Sequence, residues 1–422
     1  MVTTTDPATD PLFDPAVVED PHPYLARLRA EEPVHEIPGT GTFLVTRLDL
    51  IRSVVADPAV YSSTVAEFLH HRADGRSPGL VGPTGERGGD LDLAGSGAAV
   101  LATADPPDHT RQRRVVGRCL SAGAARRLEP DFRQLVDGVL DAALPTGRIE
   151  WMGQLAEPLP MVVVARLLGL PDEMAPRLKE QGYAAVEAIG GFASPEQRER
   201  LGPAMVDVGP VVEAYTAAQG GAPHDPASLI GVCVRAVADG ELSDTEALAI
   251  LFMIVSAGGE STTSLLGTGV RILAERSDLQ DRLRRRPELV PTFVEEACRI
   301  DPPFRGHYRR VTTDTEVGGV RLPAGSTVVL VWPAGNRDGG GFPQPDDIDL
   351  DRPNPRQHVG FGWGIHLCVG APLARTEARV AIERLLARTS AFAVDPAAPP
   401  VRHHRSLVIR RLTALPLTLT AR

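Results

Sequence analysis

The sequence predicts a mainly α-helical protein with a minor, discontinuous antiparallel β-sheet. Three observations carry this. Helical patterning dominates residues 105 to 300, the segment 305 to 332 alternates and turns like a small sheet, and helix returns after Cys368 in APLARTEARVAIERLLAR.

The elements follow in order. The first twenty residues are polar, acidic and proline-rich, and read as a loose N-terminal arm without the basic and apolar regions of a signal peptide. PHPYLARLRAEEP is a short helix, and VHEIPGTGTFLVTR is two strand-like runs around a Gly-rich turn. Residues 64–104, with SPGLVGPTGERGGDLDLAGSG, form the longest structureless stretch, and a loop of that length is a lid, a binding segment or disordered. A helix starts at Asp105-Pro106-Pro107 and places His109 and Arg113 four apart on one face, as a clamp for a carboxylate or phosphate or as a solvated basic face. The tail SLVIRRLTALPLTLT reads as strand.

Composition excludes several functions. The 422 residues carry a net charge of −10, which argues against a nucleic-acid or anionic-lipid partner. No stretch approaches the apolar length of a membrane span. Cys119, Cys233, Cys298 and Cys368 lack paired spacing, which points to a reduced, cytoplasmic protein and away from a disulfide framework or a C-x-x-C zinc site.

Two segments break local rules. Residues 243–275 form one long apolar helix, begun by a Ser243/Glu246 capping box. Its middle reads Ala257-Gly258-Gly259-Glu260-Ser261-Thr262-Thr263, with glycines that cost about 1 kcal/mol each in a helix interior and a buried acid beside hydroxyls. Such a run suits a flat ligand against the backbone and a proton-delivery pair, or a close helix contact with Glu260 reaching solvent. The second is FGWGIHLCVG, where Cys368 stands just ahead of a helix and is either an inert turn thiol or a ligating thiolate. In FVEEACRI, Glu296 and Arg299 are three apart on one helix face.

Taken in order, these motifs resemble the cytochrome P450 family of haem-thiolate monooxygenases across essentially the whole chain. FGWGIHLCVG fits the family signature F-G-x-G-x-H-x-C-x-G at every fixed position. The resemblance implies a P450 fold in a single large domain spanning 1–422, with the 64–104 loop as a substrate lid. It makes Cys368 the iron ligand of haem b, with Phe361 shielding it and Gly370 turning the chain beside it. It makes His109, Arg113, Arg309 and His366 the propionate partners, and Glu296, Arg299 and Arg352 a structural network. Ala257 lies against the haem, and Glu260, Ser261 and Thr262 fall in the oxygen-activation motif, where Ser261 stands in place of the usual Thr. The implied substrate pocket holds Phe68, Ile189, Phe192, Phe304, Arg305, His307 and Leu407.

The resemblance further implies a monomeric enzyme that takes electrons from NAD(P)H through a ferredoxin and its reductase and uses O2 to oxidise a hydrophobic or aromatic molecule, as in secondary-metabolite biosynthesis. Hydroxylation, oxidative coupling and demethylation share these motifs. Peroxide-driven turnover fits Glu260-Ser261 less well, and a non-catalytic haem carrier leaves that pair without a purpose.

Overall fold

The computed structural model describes residues 10–65, 67–70, 79–81, 98–205, 207 and 209–422. Most of the expected 64–104 lid, and residues 1–9 of the expected arm, lie outside them. The helices pack around one large apolar core that includes Trp151, Leu168, Leu266 and Phe293. Two smaller clusters sit on the faces of the main sheet.

The expected minor sheet is present, and one of its strand pairs is parallel. Thr327–Val331 pairs antiparallel with Gly306–Val311 but parallel with Thr42–Val45. The parallel partners lie nearly 300 positions apart, and local alternation carries no information about such a pairing. The Gly-rich turns behave as expected. Val34–Ile37 pairs antiparallel with Thr42–Val45, and Thr315–Val317 with Val320–Leu322 around Gly318 and Gly319, both at positive φ. In the tail only Pro416–Ala421 is strand, while 406–415 makes isolated bridges such as Phe304 to Ile409.

The N-terminal arm is not loose from residue 10 onward. Asp14 caps the turn Pro15–Glu19, Phe13 and Val18 are buried, and the Glu19 carbonyl accepts from Arg410 Nη1 at 2.8 Å. The helix expected at Asp105 begins at Asp108, after the two prolines, and runs to Gly117.

The long central helix is interrupted once. Asp244–Gly258 carries the capping box, Gly259 leaves helical geometry at φ −82°, ψ −74°, and Glu260–Glu275 continues. A Cβ at Gly259 would stand 2.1 Å from Met161 Sδ, so a larger residue here would have to displace that side chain of the Pro158–Leu168 helix. Contrary to the sequence reading, Asp244–Glu275 is long and apolar enough to cross a bilayer. Its most apolar window is 78% buried, however, as a core helix would be.

Candidate active site

Cys368 stands three residues before the first residue of the helix Ala371–Arg388. Gly362 and Gly364 turn the loop at φ +74° and +66°, a region costly for any other residue type. The Cys368 N–H donates to the Phe361 carbonyl at 2.8 Å, which closes the loop under the aromatic ring. Cys368 lies deep in the protein, yet its sulfur is accessible, so it faces an internal chamber. Burial pushes the thiol up, while the Gly370 and Ala371 N–H groups and the Arg113 cation pull it down. With no side-chain cap at the helix start, the Gly370 and Ala371 N–H groups stand beside the sulfur, the Ala371 N–H also reaching the Cys368 carbonyl at 3.3 Å.

The expected anion clamp is brought together. His109 is buried one turn before Arg113, and its ring lies 4.1 Å from that of His366. Arg113 Nη2 donates to the Leu367 carbonyl at 2.5 Å, and Ser63 Oγ meets His366 Nε2 at 2.9 Å. Arg309 is 6% exposed and donates to the carbonyl of its neighbour Tyr308. Burial lowers Arg309 to about 10 and His366 to about 3, and it lowers His109, so the histidines are neutral N–H donors. Among the described residues neither Arg113 nor Arg309 has a carboxylate within ion-pair distance, and His109 Nδ1 is buried without a partner. Buried cations and an orphaned ring nitrogen on one wall are a donor set for an anionic group. The two carboxylates of a haem fit it.

The network of Glu296 is closed on all sides. Arg299 grips its two oxygens at 2.7 and 2.8 Å, Arg352 Nε donates at 2.9 Å, and the Asp349 N–H at 2.9 Å. Arg299 also donates to the carbonyls of Asn336 and Asp347, tying the helix Val290–Ile300 to the segment that leads into the cysteine loop.

On the central helix the side chains diverge by position. Ala257 is exposed although Val255 and Ser256 are buried, and Ser261 is half-buried one turn later, so both face the chamber. Ser261 Oγ donates back to the Ala257 carbonyl at 2.8 Å and loads the helical ladder at the break. Thr262 is buried and does not share that exposure.

Glu260 points away from solvent into a ladder of charges that the sequence reading missed. Arg411 Nε donates to its Oε1 at 2.8 Å, Arg411 Nη1 reaches Glu157 at 3.4 Å, and Glu157 holds Lys179. Side-chain exposure falls inward along Lys179, Glu157, Arg411 and Glu260, from 34 to 16, 13 and 4%. Arg411 also lies over the Tyr183 ring at 5.0 Å, and the Tyr183 hydroxyl donates to Thr263. Burial raises the Glu260 carboxyl against the pull of Arg411, and its Oε2 has no partner among the described residues. The one local hint of this ladder was the adjacent cations Arg410-Arg411 in an otherwise apolar tail.

Of the expected pocket, Phe68, Ile189, Phe192 and Leu407 join one apolar cluster, and Phe304 packs on the neighbouring one. The Leu407 N–H donates to the Gly190 carbonyl at 2.8 Å, which docks the C-terminal turn on the end of Ala175–Ile189. Arg305 departs from the expectation. Its guanidinium donates to the Val18 carbonyl, so it fastens the N-terminal helix. His307 Nδ1 accepts from Trp332 Nε1 at 2.7 Å, and burial with the Arg309 cation lowers the ring to about 4. It is a neutral ring whose Nε2 carries the proton, not a cation for a carboxylate.

Comparison with known proteins agrees with this geometry. A family model described as Cytochrome P450 matches residues 222–414. Cytochrome P450 144 of Mycobacterium tuberculosis is 38% identical over 408 residues, spanning 96% of this chain and 91% of that protein. Vitamin D(3) 25-hydroxylase of Pseudonocardia autotrophica is 32% identical over 428 residues, spanning 100% and 99%. The crystal structure of CalO2 superposes with a TM-score of 0.83 at 29% identity and covers 99% of each chain.

Proposed function

Since the chain belongs to the cytochrome P450 family, whose members are haem monooxygenases acting on organic substrates, we propose that it inserts oxygen into a small-to-medium hydrophobic or aromatic molecule, with electrons from NAD(P)H delivered by a ferredoxin and its reductase. The observation that carries this is Cys368, held just ahead of a helix start, beside a donor set of Arg113, His109, His366 and a buried Arg309 that has no carboxylate partner among the described residues. Haem b ligated by the Cys368 thiolate supplies O2 activation, the thiolate favouring O–O cleavage.

The chain's own residues do the rest. Arg113, Arg309, His109 and His366 bind the propionates and fix the orientation of the group. Ala257, exposed on the central helix, would stand beside the bound group. Ser261 holds a proton-donating hydroxyl on the chamber side, and Glu260 relays protons to it from the Arg411 side. Phe68, Ile189, Phe192, Phe304 and Leu407 form an apolar wall that binds the substrate and excludes water. The wall and the vitamin D(3) 25-hydroxylase relative support a hydrophobic substrate. A tailoring step in secondary metabolism, carried out by a cytoplasmic monomer, completes the reading.

The test is the reduced, CO-bound spectrum of the purified protein followed by turnover with ferredoxin, reductase and NAD(P)H on a panel of hydrophobic compounds. The expected result is a thiolate-type Soret band that Cys368→Ala abolishes, together with oxygenated product. A band that survives Cys368→Ala would overturn the ligand assignment, and bound haem without NAD(P)H consumption above background would leave a carrier.

A further inference from the structure

Beside Glu296 stands a second buried carboxylate, Glu295, whose partners belong to different segments. Arg375 grips it with two parallel bonds, Nε to Oε1 at 2.7 Å and Nη2 to Oε2 at 3.0 Å. Arg356 Nε reaches Oε1 at 3.2 Å, and His358 Nε2 meets Oε2 at 3.1 Å. His358 Nδ1 accepts the Gly360 N–H at 3.0 Å, so the proton sits on Nε2 and donates to the carboxylate. Gly360 itself is pressed on the helix Val290–Ile300, since a Cβ there would lie 2.8 Å from both the carbonyl and the sulfur of Cys298. Glu295 therefore clamps the loop entering the Cys368 turn and, through Arg375, the helix leaving it.

The clamp aims a cation. The Arg375 guanidinium lies 4.3 Å from the centroid of the Phe361 ring, and the Phe361 carbonyl is the acceptor for the Cys368 N–H. Against the penalty of burial, His358 and Arg375 hold the Glu295 carboxyl down at about 2, so the pair is fully charged at neutral pH. Arginine suits this place because its planar fork binds a carboxylate edge-on while its face stacks on a ring, which lysine cannot do.

Resting on the haem-thiolate reading above, we propose that Arg375 is a positioning residue for the iron ligand: Glu295 holds its guanidinium on the face of Phe361, and through that ring the cation sets the seat of Cys368 and favours the reduced state of the iron. Adding an electron to the iron adds negative charge beside the thiolate, and a fixed cation in a low-dielectric setting offsets it. The sequence reading gave the shielding role to Phe361 alone.

The ferric–ferrous midpoint of the purified holoenzyme, read by spectroelectrochemistry, tests this. Arg375→Gln is expected to weaken reduction about tenfold, a fall of about 59 mV for a one-electron couple. Arg375→Lys keeps the charge but loses the fork and the stack, and about a threefold weakening is expected. In a Phe361→Leu background the effect of Arg375→Gln should shrink by at least half, because contacting residues couple. Wild-type midpoints in Arg375→Gln and Arg375→Lys, with only a lower melting temperature, would reduce the clamp to scaffolding. An equal shift with and without Phe361 would refute the role of the ring. If Arg375→Gln fails to retain haem, the lysine variant alone decides, and an unshifted midpoint there overturns the proposal. A thiolate-type CO spectrum in the wild type keeps these outcomes separate, since its absence would defeat the proposed function instead.

Discussion

Replacing Arg411 by Met removes the one hydrogen-bonding partner that the described residues give to a carboxylate that is 4% exposed. Breaking a buried pair from one side costs about 3–5 kcal/mol when the remaining charge stays ionised. Glu260 has a way out, because burial already raises its pKa and each unit of protonation costs only about 1.4 kcal/mol. Loss of the contact with Tyr183 adds about 0.5–1 kcal/mol. A net loss of about 3 kcal/mol is expected for Arg411→Met in denaturant unfolding of the holoprotein. Glu260→Gln alone should cost less, since Arg411 keeps Glu157. In the double variant the orphaned charge is gone, so the cycle should return a coupling of about 1.5–3 kcal/mol. Additivity within about 0.5 kcal/mol would mean that the two groups do not sense one another, and the ladder would then carry no protons to the site.

Ser261→Ala removes the hydroxyl that faces the chamber and is expected to divert electrons to hydrogen peroxide; unchanged product per NAD(P)H would show the hydroxyl to be dispensable. Arg309→Gln should release haem to apomyoglobin about tenfold faster, the equivalent of about 1.4 kcal/mol, and an unchanged rate would remove Arg309 from the clamp. Glu377 on the Ala371–Arg388 helix is buried, its Oε2 has no partner among the described residues, and burial raises its carboxyl to about 8. The folded protein therefore holds a proton that the unfolded chain releases near 4.5, so this group's stabilisation is present below 4.5 and is lost as pH rises through about 8. Glu377→Gln should then gain on the wild type by about 1.4 kcal/mol per pH unit between pH 5.5 and 7.5 in unfolding experiments, and a pH-independent gap would contradict the buried, neutral carboxyl.

Local sequence determined the pieces whose physics is local. The capping box at Ser243, the glycine turns at 318–319 and 362–364, and the helix after Cys368 each follow from backbone preferences within a few residues. The ten-residue run around Cys368 was specific enough to bring the family with it, and with the family the anion clamp and the Glu296 network, neither of which periodicity alone could tell from solvated surface charge.

Tertiary structure decided what depends on distant segments meeting. Strand Thr327–Val331 takes a parallel neighbour from the first fifty residues, and the arm at 10–19 packs because Arg305 and Arg410 donate to its carbonyls. Arg411 reaches Glu260 from 151 positions away, and Arg375 reaches Glu295 from 80. A buried charge needs a partner whatever its place in the chain, and the sequence shows the need without showing which residue meets it. Arg305, assigned to the substrate from the sequence, serves the N-terminal helix for the same reason: a buried guanidinium needs an acceptor, and the Val18 carbonyl supplies one.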